Sequence, residues 1–178
     1  MQLAGPAGDR TSGGRQEYRR LISRSALETA SQYRFGMDYS LSAPTAEEFK
    51  ALYDETGWAE WTLDHFERAL SGSWVVCTAR DDAGRLVGMG RLISDGALHA
   101  FVTEMIVTER ARGAGIGGEV LGRLVDEARR RGVTDVQLFA ARGRAAFYER
   151  HGFERRPDSG PGMDVVGVRE PSSILETA

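Results

Sequence analysis

The chain has 178 residues, 41% hydrophobic and 28% charged, with 23 basic residues against 26 acidic ones and a net charge of −3. That length and balance suit one globular domain with a sizeable core and leave no electrostatic footprint for nucleic acid. One cysteine, Cys77, excludes an internal disulfide and fits a reducing compartment; with no membrane-length apolar run and no signal-peptide core, the expectation is a cytoplasmic protein that engages no membrane. Only Lys50 among the basic residues is lysine, an arginine bias better explained by genome composition than by a binding role.

Residues 1–32 read as an N-terminal extension, polar and glycine-containing at first, then with Leu21, Ile22, Ala26 and Leu27 spaced for a short helix. The domain is expected over residues 33–168, followed by a polar tail over residues 169–178. Tyr33 to Leu41 reads as the first strand. Thr45 followed by Glu48 predicts a capping box and a helix to about Thr56, broken at Gly57-Trp58. Thr62 to Leu70 predicts a second helix ending at Gly72. Trp74 to Arg80 and Leu86 to Ser94 read as a hairpin around Asp82-Ala83-Gly84, and His99 to Thr108 as the next strand after Asp95-Gly96.

Arg112-Gly113-Ala114-Gly115-Ile116-Gly117-Gly118 then opens a long amphipathic helix that ends near Arg131. Ile116, Val120, Leu121, Leu124, Val125 and Ala128 share one face, Glu119/Arg123 and Glu127/Arg131 are favourably ordered pairs, and Gly132 is the expected cap. Val133 to Ala140 reads as a strand, Arg144 to His151 as a short helix capped by Gly152, and Phe153 with Met163 to Val168 as closing strands. Strand, glycine loop and helix together offer backbone N–H groups to a phosphate at the positive end of a helix. Gly117 is followed by Gly118 and Glu119, so the lysine and hydroxyl of a P-loop are missing. The glycine spacing and its late position also fail a dinucleotide fold.

Glu104-Met105-Ile106-Val107, the loop Arg112-x-x-Gly115-x-Gly117, and Ala146-Phe147-Tyr148-Glu149-Arg150-His151-Gly152-Phe153 together resemble the GNAT N-acetyltransferase superfamily. The matching segments span about half the chain. The family often carries a proline between strand and loop; Glu109 stands there, a departure expected to alter only the turn. Gly57-Trp58, Ser94-Asp95-Gly96, Arg156-Pro157 and Gly160-Pro161-Gly162-Met163 are further similar to compact small-amine and arylalkylamine acetyltransferases. The resemblance implies a mixed α/β fold: a twisted mixed sheet flanked by helices, whose splayed central strands hold acyl-CoA. It implies acetyl-CoA as co-substrate, direct transfer in a ternary complex, and homodimerisation as one available arrangement.

Transfer to an amine needs a neutral amine, a stabilised oxyanion and a protonated leaving thiolate. A lysine-like amine with a pKa of ~10.4 is only ~0.04% neutral at pH 7, so a base is useful. Glu104 interrupts an apolar strand with the parity of Ala100 and Val102, where partial burial is expected to make it a better base, acting directly or through water. Its bland reading is an exposed carboxylate or an ion-pair partner. Tyr148 matches the family's general-acid tyrosine; its bland reading is an aromatic that packs the short helix on the sheet. The resemblance assigns the backbone of Met105, Ile106 and Val107 to the oxyanion and pantetheine. It assigns the N–H groups of Gly113, Ala114, Gly115, Ile116, Gly117 and Gly118 to the pyrophosphate, Arg112 to charge or loop order, and Phe147 to a cofactor wall or core.

Trp58 and Trp61 are candidates for an aromatic wall around the acceptor, and His99 for the substrate mouth if a bulge shifts its phase. Cys77 is expected to be a small buried hydrophobe, and His65 and His151 to face solvent. No cluster has metal spacing. The expected acceptor is a small-molecule primary amine. A protein or peptide acetyltransferase, a non-catalytic acyl-CoA-binding sensor and a longer acyl donor stay open beside it.

Overall fold

The computed structural model of the protein describes residues 36–163. Five strands and four helices follow in chain order: β1 (Asp38–Ser40), α1 (Ala46–Asp54), α2 (Leu63–Ser71), β2 (Val75–Arg80), β3 (Leu86–Ser94), β4 (His99–Val107), α3 (Ile116–Arg130), β5 (Asp135–Leu138) and α4 (Ala145–Glu149). A 3-10 turn over Glu109–Ala111 links β4 to the glycine loop. The sheet has the order β1-β2-β3-β4-β5, antiparallel throughout except for the parallel β4/β5 pair, which the glycine loop and α3 cross over. This is the mixed sheet flanked by helices that the resemblance implies.

Local sequence accounts for most of these elements. Thr45 accepts from the Glu48 N–H while Glu48 accepts from the Thr45 N–H, so the capping box forms and α1 starts where expected. Glu48 also takes both guanidinium ends of Arg80, at 2.5 and 2.7 Å, tying α1 to β2. At the end of α3, Gly132 (φ +90°) donates to Arg129 O and Val133 to Ala128 O, a Schellman closure that buries Val133.

Two cores sit on the two faces of the sheet. Ile116, Val120, Leu121, Leu124 and Ala128 of α3 pack on Val75, Cys77, Leu92, Ala100 and Val102. Phe49, Leu52 and Phe66 of α1 and α2 pack on Val76, Met89 and Ile106. Burying such side chains stabilises by about 1.5–3 kcal/mol each. Phe49 and Phe66 meet edge to face at 4.8 Å, which locks α1 to α2.

Several elements differ from the sequence reading. The first strand is only three residues long, and β5 is shorter than Val133 to Ala140. Phe153 lies in no strand: its N–H closes α4 by donating to Tyr148 O, and its ring packs on Tyr148 at 6.1 Å. The expected N-terminal extension with its short helix, the C-terminal tail and the closing strand beyond Met163 lie outside the described residues.

Candidate active site

β4 and β5 pair only from His99/Asp135 to Val102/Leu138. From Thr103 to Val107, β4 pairs among the described residues with β3 alone, so its other backbone edge faces the gap beyond β5. This is the parting of central strands expected around an acyl-CoA arm. At the far end of that edge Arg112 donates through Nε to Val107 O at 3.1 Å. Arg112 thereby ties the start of the glycine loop to the end of β4.

The loop itself turns on glycine. Gly113 and Gly115 have φ of +83° and +85°, and Gly115 is the N-cap of α3 with no side chain to offer. The first backbone bond of α3 runs from Glu119 N to Gly115 O. The N–H groups of Ile116, Gly117 and Gly118 consequently meet no carbonyl among the described residues, and they open at the positive end of a fifteen-residue helix. That donor set is what a pyrophosphate requires, so the residues present fit acyl-CoA.

Gly118 also lies under a contact that the sequence does not announce. A Cβ on Gly117 would lie 3.5 Å from the Phe147 ring and 3.7 Å from Val107 Cγ2; one on Gly118 would lie 2.4 Å from His151 Nε2. The missing side chain at Gly118 lets the turn after α4 press onto the first turn of α3, whereas a Cβ on Gly117 would make only ordinary contact. His151, expected to face solvent, is exposed but stacks on Phe147 at 4.5 Å and bonds Phe147 O through Nδ1 at 2.8 Å. This packing brings Tyr148 to the same core face as Met105 and Val107. Burial raises the Tyr148 hydroxyl above its ordinary pKa, opposed by nearby Arg144. Its O–H has no hydrogen-bond partner among the described residues.

Glu104 is where sequence parity misleads. β3 and β4 slip register here: Met89 faces Ile106 and Arg91 faces Thr103, so Gly90 alone opposes both Glu104 and Met105. This is a β-bulge, and Glu104 takes φ +44°, the one non-glycine residue with positive φ among those described. Met105 and Val107 then point with Ala100 and Val102 toward α3, while the Glu104 carboxylate turns to the α1/α2 side and pairs with Arg91. Arg91 is a site neighbour that sequence reading missed. Its signal was a cation in an otherwise apolar β3.

Glu55, at the end of α1, accepts from Thr108 Oγ1 at 2.8 Å and so joins the α1–α2 loop to the end of β4. That loop carries Trp58 and Trp61, each 45% exposed. Trp58 meets the Tyr53 ring edge-on at 5.6 Å, and Trp61 donates from Nε1 to the Tyr53 hydroxyl at 3.3 Å. The indoles are thus held in place yet open on one side. His99 shares the sheet face of Arg91 but lies five residues before Glu104, roughly 16 Å along the strand. It pairs with Asp135 at 2.6 Å, and the fold does not bring it to the bulge. His65 is exposed and bonds Thr62. Cys77 is fully buried, and burial pushes its thiol up to about 11. No group of side chains that could hold a metal occurs among the described residues.

The model of the acetyltransferase (GNAT) family matches residues 35–153. Serotonin N-acetyltransferase 2 of rice, a chloroplastic protein, is 32% identical over 122 residues, 67% of this chain and 61% of its own. The soybean histone acetyltransferase TAP1 is 29% identical over 126 residues, 65% of this chain and 54% of its own. The chain thus spans less than two thirds of the length of either relative. A GNAT family acetyltransferase structure from Streptococcus pneumoniae superimposes with a TM-score of 0.65 at 26% identity, covering 75% of this chain and 99% of that one.

Proposed function

The chain belongs to the GNAT acetyltransferase family, and from that premise we propose that it transfers an acetyl group from acetyl-CoA directly to the primary amine of a small molecule. The observation that carries this reading is the flanking of one open strand edge by two chemistries. Tyr148 packs on the α3 side of β4, while Glu104 reaches the α1/α2 side through the bulge. The loop donors from Gly113 to Gly118 would hold the pyrophosphate, with Arg112 bracing the loop. The backbone edge at Met105, Ile106 and Val107 would pair the pantetheine amides and donate to the developing oxyanion. Phe147 would wall the arm.

Glu104 takes a proton from the acceptor ammonium, directly or through water, so that a neutral amine attacks the thioester carbonyl. As the C–S bond breaks, Tyr148 offers its O–H to the departing sulfur. A hydroxyl raised by burial is a weaker acid than a thiol, so its role is chiefly to hydrogen-bond and orient the sulfur, with the final proton shared with solvent. The products are an amide and free CoA.

The open indoles of Trp58 and Trp61 favour an acceptor with an aromatic or alkyl body next to its amine, in keeping with the rice relative's named substrate. The soybean relative's name supports a protein acceptor as the second reading. The buried, protonated Cys77 suits a reducing compartment, the cytoplasm in this reading. Self-association rests on the family resemblance and is read by sedimentation.

The test is calorimetric titration with acetyl-CoA beside CoA, followed by thiol-release assays over arylalkylamines, polyamines and a lysine peptide. Tight binding with turnover on a small amine supports the proposal. Turnover on the peptide alone moves the acceptor class to protein, and binding without turnover on any amine returns a sensor domain.

A further inference from the structure

Arg91 is a buried cation at the centre of the sheet, only 9% exposed, with Val76 of β2 and Thr103 of β4 as cross-strand neighbours. Its guanidinium makes three bonds. Nε donates to Glu104 Oε2, and Nη1 donates to Ala69 O at 3.0 Å and to Ser73 Oγ at 3.1 Å. Ala69 lies in the last turn of α2, where carbonyls lack intrahelical partners and the helix end is negative. Ser73 Oγ closes the group by donating to the same carbonyl at 2.7 Å. One side chain therefore ties the carboxylate at the β4 bulge to the end of the helix that follows the Trp58/Trp61 loop.

Stability alone is a poor reason for this cation. An apolar side chain of similar volume generally serves a buried site as well as an ion pair does. The arrangement also treats the two Glu104 oxygens differently: Oε2 is held, while Oε1 accepts no hydrogen bond among the described residues. Glu104 sits on strained backbone, with φ +44°, and a residue in that conformation needs surroundings that over-determine it.

We propose that Arg91 is the positioning residue of the Glu104 base, fixing its carboxylate through Oε2 and leaving Oε1 to receive the acceptor's proton. In that step an ammonium N–H bond breaks and an O–H bond forms on Oε1, or on a water it holds, and the proton later leaves to solvent. The inference rests on the acetyl-transfer reading and extends it: the C-terminal end of α2, through Ala69 and the Ser73 that follows the helix, sets the direction of the base.

The experiment uses the full chain and an amine that the wild type acetylates. Arg91→Met and Arg91→Lys are made alone and in a Glu104→Gln background, and kcat, KM for the amine and Kd for acetyl-CoA are read for each. The expected result is a fall in kcat on the order of tenfold or more for Arg91→Met, with partial recovery in Arg91→Lys, while the Kd for acetyl-CoA stays within about twofold. In the Glu104→Gln background the same substitution is expected to cost less than about threefold, because the group it positions is already gone. An equal fall in both backgrounds, or a fall matched by weakened acetyl-CoA binding, makes Arg91 a structural clamp and overturns the inference. Unchanged kcat in Arg91→Met overturns it as well. If Arg91→Met does not fold, the Arg91→Lys pair of variants carries the same comparison. Absence of wild-type turnover on every amine sinks the acetyl-transfer reading itself, a result distinct from wild-type turnover that ignores Arg91.

Discussion

Tyr148 and Gly118 show two ways in which a single residue governs the site. Tyr148 keeps its proton because burial disfavours the phenolate, and its hydroxyl has no partner among the described residues to compete for it. Tyr148→Phe is expected to lower kcat by about 10²-fold while the acetyl-CoA Kd moves less than about twofold, measured by thiol release and calorimetry. Equal losses in both would make Tyr148 a packing residue. The exposed His151 ring reaches 2.4 Å from where a Cβ on Gly118 would stand. Gly118→Ala should therefore push that ring off Phe147, destabilising the fold by about 1 kcal/mol in urea titration and weakening acetyl-CoA binding if the turn after α4 shifts with it. Full stability with normal binding would show that the histidine simply swings aside. Glu104 is the residue at which backbone and side chain cannot be separated, because its positive φ is what carries the carboxylate to the other face.

Among the elements, α3 does most to join fold and site. Its apolar face fills one core, its first turn presents N–H groups that meet no carbonyl among the described residues, and its C-terminus is closed by the Gly132 turn. Glu127, in its last turn, accepts from both Arg130 and Arg131 at 2.7 Å. Those hydrogen bonds lower its pKa from 4.5 to about 2. The folded state thus binds this proton less readily than the unfolded chain. The stabilisation is present above about pH 4.5 and is lost as pH falls toward 2. Thermal melts from pH 6 down to pH 2.5 should show a steeper loss of stability in the wild type than in Glu127→Gln. Parallel curves would mean that the arginines gain nothing from the charge.

At the scale of the whole molecule, the sheet divides the chemistry. The α3 side carries the glycine loop proposed for the cofactor, Phe147 and Tyr148; the α1/α2 side carries Arg91, Glu104 and the aromatic loop. Glu55, bonded to Thr108, spans the two by joining the aromatic loop to the strand that leads into the glycine turn. Because acetyl-CoA would bridge the gap between β4 and β5, its binding should stabilise the whole fold. At a hundredfold excess over Kd the gain is about 2.7 kcal/mol, a rise in Tm of roughly 10 °C for a domain of this size. An unchanged Tm at millimolar acetyl-CoA would reduce the loop to a structural turn.

Much of this was legible in one dimension. The capping box at Thr45, the hairpin at Leu86, the apolar face of α3 and the Gly132 and Gly152 caps are local signals, written by residues a few positions apart. The glycine loop and the segment around Tyr148 were recognisable for the same reason, since the family pattern they match is carried by residues at short spacing. What period and propensity do not encode is the slip of one residue between two strands. Alternation along β4 put Glu104 with Ala100 and Val102, but the bulge opposite Gly90 sent it to the other face, where it met Arg91 from thirteen positions away. The docking of His151 against Gly118, the pairing of His99 with Asp135 and the bridge from Glu55 to Thr108 are also contacts between distant segments. The sequence by itself determined most of the elements and the glycine turn that opens α3, because their causes are local. Only the tertiary structure decided which side chain each catalytic candidate faces, because register and packing depend on all the strands at once.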